Sequence, residues 1–224
     1  MTGVTITNDQ APIFEPRYEI SSAARHIGMP RSTMGAWAKG QGDFKRVLDL
    51  PSPGYLSFVN LVEAFVLFTM RRHYNIALPR IRRAIDYVDK EMRVEHPLAF
   101  QEFVTDKVDL FVRSAIGAVN VSRGGQARMD DVIQDLERIE WRSRRPIALF
   151  PIVTRANHES LRPIQISPLV AFGRPVITGT GIPTRAIFDR FYGGESVIEL
   201  AEDYGVATEA IEEAVRAESE PAAA

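Results

Sequence analysis

Apolar residues recur at helical spacing through much of this chain, and glycine and proline cut the runs between them. Tyr18-Glu19-Ile20-Ser21-Ser22 opens a first short helix, with Ala23, Ala24 and Ile27 on one face and Ser21 or Ser22 placed to cap it. Gly28 permits the positive φ that ends a helix sharply. Pro30-Arg31-Ser32-Thr33 starts a second helix with Met34 and Trp37 inward, and Gly40 and Gly42 break it. Phe44 to Leu48 and Tyr55 to Phe58 predict two short strands around a Pro-Ser-Pro-Gly turn. Helices then follow over about Asn60 to Tyr74 and Leu78 to Arg93, the second with Ile81, Ile85 and Val88 on one stripe.

The middle of the chain alternates differently. Val108 to Val112, Ala118 to Val121, Ala148 to Val153 and Ile164 to Ile166 read as extended. Asp130 to Trp141 reads as a helix, and Trp141 to Pro146 as a polar, basic break. Past Gly173-Arg174-Pro175-Val176-Ile177-Thr178-Gly179-Thr180-Gly181-Ile182-Pro183-Thr184 the helical period returns, with Ile187, Phe188 and Phe191 in a stripe. Ser196 and Glu199 form a capping-box pattern ahead of Val197 to Tyr204, which Gly205 ends. Thr208 is placed to cap a last helix, with Ile211, Ala214 and Val215 inward. The fold class expected is mainly α with small β elements, an α+β chain.

Charge separates the two ends. Arg17 to Arg93 holds 13 Lys and Arg against 7 Asp and Glu, whereas Gly194 to Glu220 holds one Arg against nine Asp and Glu. The front suits phosphates and the back repels them. The 224 residues contain no cysteine, which excludes disulfides and thiolate metal sites and fits a cytoplasmic protein. No apolar run approaches the roughly 20 residues of a membrane span, and the start lacks a secretory pattern. Catalysis is disfavoured: His26, His73, His96 and His158 are scattered, and Gly179-Thr180-Gly181 lacks the Lys-Ser/Thr of a phosphate loop. No cofactor or metal is expected.

Helix, turn, helix, hairpin, helix, helix over roughly Tyr18 to Arg93 resembles winged helix-turn-helix proteins of the MerR type. The resemblance rests on Ile20 to Met34, then Trp37, then the hairpin. In such a fold the second helix enters the major groove with its first residues on base edges. Here these are Arg31, Ser32 and Thr33; Lys39, Lys45 and Arg46 suit phosphates, and Arg25 is a further candidate. Residues Gly173 to about Ala217 resemble the domain-of-unknown-function family 433, whose members share a helix-turn-helix shape and carry Arg where this chain has Gly181.

Together the halves look like a VapB-type antitoxin. That resemblance implies a PIN-like ribonuclease toxin as partner and autorepression of the shared operon through operator DNA, with Arg174 and Arg185 as candidates for toxin binding. A homodimer is expected from two half-sites. The corresponding organisation is a flexible arm at 1–16, a winged helix-turn-helix at 17–95, a connecting α/β region at 96–166, an antitoxin module at 167–218 and a tail at 219–224. The rival reading is a free-standing MerR-like transcription regulator, which predicts a pocket and no stable protein partner.

Overall fold

The computed structural model describes residues 11–40, 45–93, 95–101, 103, 108, 111, 123–151 and 162–219. Helices dominate and the sheets are small and antiparallel, an α+β fold. In chain order the elements are α1 (Ala11–Phe14), β1 (Tyr18–Glu19), α2 (Ile20–His26), α3 (Arg31–Lys39), β2 (Tyr55–Leu56), α4 (Phe58–Tyr74) and α5 (Leu78–Met92). A 3-10 turn, Pro97–Ala99, precedes α6 (Arg123–Leu136), β3 (Ile139–Arg142) and β4 (Arg145–Leu149). The C-terminal module comprises β5 (Ile164–Gln165), β6 (Val176–Ile177), α7 (Thr184–Tyr192), α8 (Val197–Tyr204) and α9 (Thr208–Glu218).

Helix α4 is the axis of the larger core. It is buried all round: from Phe58 to Met70 every residue except Phe68 is buried, the polar Asn60, Glu63 and Thr69 included, as expected for a helix packed on all sides. It touches α1, α6, β2, β4 and the 3-10 turn. One core runs from Ile13 to Ile166, taking in Trp37, Leu61, Phe103, Val132 and Leu149. A second core, Ile164, Ile177, Ile187, Leu200, Ala201, Ile211 and Ala214, belongs to the C-terminal module. Backbone pairing joins the two: Leu149 N–H donates to Ile166 O at 2.9 Å and Ile166 N–H to Leu149 O at 2.8 Å.

Several local expectations are corrected. No wing hairpin forms over the described part of 44–58. Tyr55–Leu56 instead pairs antiparallel with Tyr18–Glu19, in the register Tyr18 to Leu56 and Glu19 to Tyr55. The N–H groups of Val47 and Leu48 are drawn to Trp37 O, at 2.8 and 3.1 Å, which leaves no strand there. Because Tyr18 and Glu19 are committed to that sheet, α2 starts at Ile20 after Glu19, and no side chain caps it, neither Ser21 nor Ser22. Ser57 is the true start signal of α4: its hydroxyl accepts from Asn60 N–H at 3.1 Å, and Asn60 Oδ1 accepts from Ser57 N–H at 3.1 Å. This reciprocal cap moves the helix start from Asn60 back to Phe58.

In the middle, the basic break at Trp141 to Pro146 is a β-hairpin. Ser143 and Arg144 both take positive φ, 49° and 68°, as a two-residue primed turn requires. The helix expected to Trp141 therefore ends at Leu136, and Trp141 lies in β3. Val108 and Phe111, expected in a strand, are helical and buried; the strand expected at Ala118 to Val121 lies outside the described residues. Thr208 does not cap α9; Ala207 holds that position. The Ser196–Glu199 capping box is present as expected.

Candidate functional site

Two surfaces gather the candidate residues. The first is the start of α3. A tight turn, with Gly28 at φ 66° and Met29 N–H donating to Ala24 O at 2.9 Å, sets α3 against α2. Ala23, Ala24, Met29, Met34, Trp37 and Ala38 fill the space between and below them. Pro30 immediately precedes the helix, and Arg31 and Ser32 stand exposed on its first turn while Thr33 is half-buried. Lys39 is exposed at the opposite end of α3. Lys45 and Arg46 are exposed on the following segment, Arg46 paired with Asp49. Lys45 O accepts from Arg82 Nε at 3.0 Å, which ties this segment to α5.

The second surface is a cleft of about 400 Å³ between α2 and the C-terminal module. Here the structure brings together residues that the sequence gave to different jobs. Arg25 meets Glu218 of α9 at 3.3 Å, with the Glu218 side chain 3% exposed. Glu218 also accepts from Thr184 Oγ1 at 2.6 Å, in buried surroundings. Arg174 and Arg185 line the same cleft. Arg185 pairs with Asp189 at 2.9 Å and lies 5.2 Å from the Phe188 ring centroid. Its pKa is raised, first by the hydrogen bond it donates to Asp189 and then by that carboxylate's charge.

Sequence reasoning missed most of the cleft: Arg17, Tyr18, His26, Phe172, Thr184 and Glu218. They come from three distant segments, and no spacing links them. The one local signal was Gly173. It sits at φ 80° against the Tyr18 ring, where an added Cβ would lie 2.6 Å from Tyr18 Oη and 2.8 Å from Arg17 Cδ. Before it, Ala171 and Phe172 also take positive φ, 46° and 57°, conformations that cost an L residue energy. Burial pushes the Tyr18 phenol up, Arg17 opposing slightly. Burial and then the Arg25 charge push His26 down to about 3, so its ring is neutral at physiological pH.

The acidic C-terminal surface is partly neutralised from within. Arg190 Nε donates to Glu195 Oε1 at 2.7 Å and its Nη1 to Asp203 Oδ2 at 2.5 Å, tying α7 to α8. These hydrogen bonds, Glu195 first, raise the Arg190 pKa further. Among the described residues no group of three or more His, Cys, Asp or Glu is placed to hold a metal, and no helix is long and apolar enough to cross a membrane.

Residues 164–216 match the family described as "Protein of unknown function (DUF433)". Over nearly the whole length, the chain is similar to a Mycobacterium tuberculosis (strain ATCC 25618 / H37Rv) protein named "Putative antitoxin VapB45". Identity is 25%, covering 90% of this chain and 93% of that one. It is also 26% identical to "Uncharacterized protein Rv2308" of the same strain, with 88% of each chain covered. The fold matches the X-ray crystal structure of Rv2018 from Mycobacterium tuberculosis with a TM-score of 0.69. The identity is 25%, and the match covers 90% of this chain and 98% of that one.

Proposed function

We propose that this chain is the antitoxin of a type II toxin–antitoxin pair: it binds and neutralises a PIN-like ribonuclease toxin and binds operator DNA to repress its own operon. The similarity to the protein named VapB45 carries this reading, because it spans both halves rather than the C-terminal module alone. Operator contact falls to the first turn of α3. An exposed Arg31 reaches guanine O6 and N7 with two hydrogen bonds, Ser32 and Thr33 donate or accept beside it, and Lys39, Lys45 and Arg46 meet phosphates. Two copies read two half-sites as a homodimer.

Toxin contact falls to the C-terminal module, whose acidic helices repel DNA. Arg185, Phe188 and Tyr192 follow one another at helical spacing on α7. Tyr192 is 69% exposed, with its ring centroid 4.4 Å from that of Phe188. An aromatic pair, Tyr192 exposed and Phe188 half-buried, flanked by arginine is the composition of an interface anchor. Arg174 or Arg185 then faces the carboxylates expected in a PIN-type site.

The experiment is co-purification of the untagged chain with the tagged product of the adjacent open reading frame, alongside a growth assay. A stable complex that relieves growth arrest supports the antitoxin reading; a harmless neighbour and no complex would overturn it. The cleft favours a second reading, a free-standing regulator that senses a ligand, which binds its operator with no protein partner.

A further inference from the structure

Phe172 is the most exposed large apolar side chain among the described residues, at 83%. It is held out in the left-handed region, at φ 57° and ψ 34°, between Ala171 at φ 46° and Gly173 at φ 80°. Only the glycine suits that region. Two L residues in a row there are strained, and a solvated ring gains nothing from burial that would offset the strain. Strain held in place with no local return collects at binding sites.

The feet of this turn are fixed while its tip is exposed. Ser167 Oγ donates to Ile147 O at 2.7 Å and accepts from Leu169 N–H at 3.2 Å, which fastens the start of the turn to β4. Arg17 Nη1 donates to Pro168 O at 3.5 Å. Within the turn, Gly173 N–H donates to Val170 O at 2.9 Å and Arg174 N–H to Ala171 O at 3.2 Å. Gly173 then closes on Tyr18 and Arg17 with no room for a Cβ. A tip mounted this way loses little conformational freedom when a partner covers it, so most of the contact energy is kept as affinity. Leu169, 46% exposed, belongs to the same turn. Arg174 is exposed directly after Gly173 and has no ion pair among the described residues.

An apolar tip beside one uncommitted cation fits a protein surface that carries an apolar pocket with a carboxylate on its rim. A nucleic acid would use the cation and leave Leu169 without a role. Phe172 and Arg185 line one cleft, and Arg185 lies 5.2 Å from the Phe188 ring centroid on α7, so the turn and the α7 aromatic pair border the same opening. We propose that the turn Leu169–Arg174 is a preorganised prong for the toxin: Phe172 seats in an apolar pocket of that protein, and Arg174 pairs with a carboxylate on the pocket's rim. The proposal rests on the antitoxin reading and adds to it a second anchor, on a different element from α7 and already in its bound shape.

The test is isothermal titration of the full chain with the purified product of the adjacent open reading frame, with a melting temperature for every variant. Phe172→Gly separates binding from folding. Glycine adopts φ 57° without strain, which offsets the greater freedom it gives the unfolded chain, so the variant should melt close to the wild type. Its affinity should nonetheless fall by about thirtyfold or more, the scale of an interface hot spot. Arg174→Ala should weaken binding by about tenfold, while Tyr87→Ala, which removes an exposed ring from α5, should leave it unchanged. Wild-type affinity in Phe172→Gly overturns the prong. So does a melting temperature several degrees lower, because the ring would then be packing on its own fold. A wild-type chain that forms no complex overturns the antitoxin reading as well, so the two failures are told apart. A labelled single-stranded oligonucleotide that loses binding in Phe172→Gly, while the protein partner keeps it, gives the turn to nucleic acid and overturns the assignment to a toxin.

Discussion

Arg25 and Arg31 are six residues apart and sit in different surroundings. Arg31 is exposed on the first turn of α3, whereas Arg25 reaches back to a Glu218 carboxylate that is almost wholly buried. Arg31→Ala should weaken operator binding by about 1–3 kcal/mol and relax preference at one base pair, leaving the melting temperature in place. Arg25→Ala should lower stability by roughly 3 kcal/mol, because it strands the buried carboxylate. Paired thermal melts and anisotropy titrations separate the two; an Arg25 variant that melts like the wild type while losing DNA would restore it to the recognition surface. His26 adds a pH signature. Its folded-state pKa of about 3 lies below its usual 6.5, so between those values the unfolded chain takes up a proton that the folded chain refuses. Stability therefore rises with pH across that window, and His26→Gln should flatten the rise seen in urea melts at successive pH values. His96 acts in the opposite sense. Burial disfavours its charge, but the Glu63 hydrogen bond and the charges of Glu63, Asp49 and Glu95 outweigh that and raise its pKa. Its contribution is complete below pH 6.5 and is lost as pH rises through the raised value.

Elements were legible where one residue type carries one conformation, and illegible where a partner from elsewhere decided. Ser196 and Glu199 announced α8, because each satisfies the other within a single turn. Ser57 and Asn60 make the same reciprocal cap on α4, yet Asn replaces the usual Glu or Gln, and the aromatic and β-branched residues around Ser57 read as strand. Ser57→Ala should cost about 1–2 kcal/mol, since it strands a buried Asn60 N–H; a denaturant midpoint unchanged from wild type would show that water replaces the hydroxyl. The wing failed for a non-local reason. Tyr55–Leu56 has strand character, as its composition says, but its partner is Tyr18–Glu19, more than thirty residues earlier. Alternation reveals a strand and is silent on which strand it joins. The β3–β4 turn was hidden because Ser143 and Arg144 adopt positive φ without the glycine or asparagine that usually signals it.

At the scale of the molecule, the cleft exists only because two cores are held in one relation, and very little of that relation is written locally. The larger core ends at Ile166, the smaller begins at Ile164, and away from that strand the halves meet at Arg25–Glu218 and at Gly173 against Tyr18. Gly173 gives a controlled way to loosen that relation. Gly173→Ala adds two costs: an L residue at φ 80°, worth about 1–3 kcal/mol, and a Cβ 2.6 Å from Tyr18 Oη and 2.8 Å from Arg17 Cδ. Gly179 sits at φ 78° in the same module with nothing within 4 Å of an added Cβ, so Gly179→Ala bears the first cost alone. Both should destabilise the C-terminal module by a similar backbone amount. Only Gly173→Ala should pry it from β1, so its calorimetric trace should separate into two transitions, with faster amide exchange at Ile187, Leu200 and Ile211 than Gly179→Ala produces. If the two variants behave alike in both measurements, the Gly173 contact does not couple the halves. The junction would then rest on the Ile164–Ile166 strand and the Arg25–Glu218 pair.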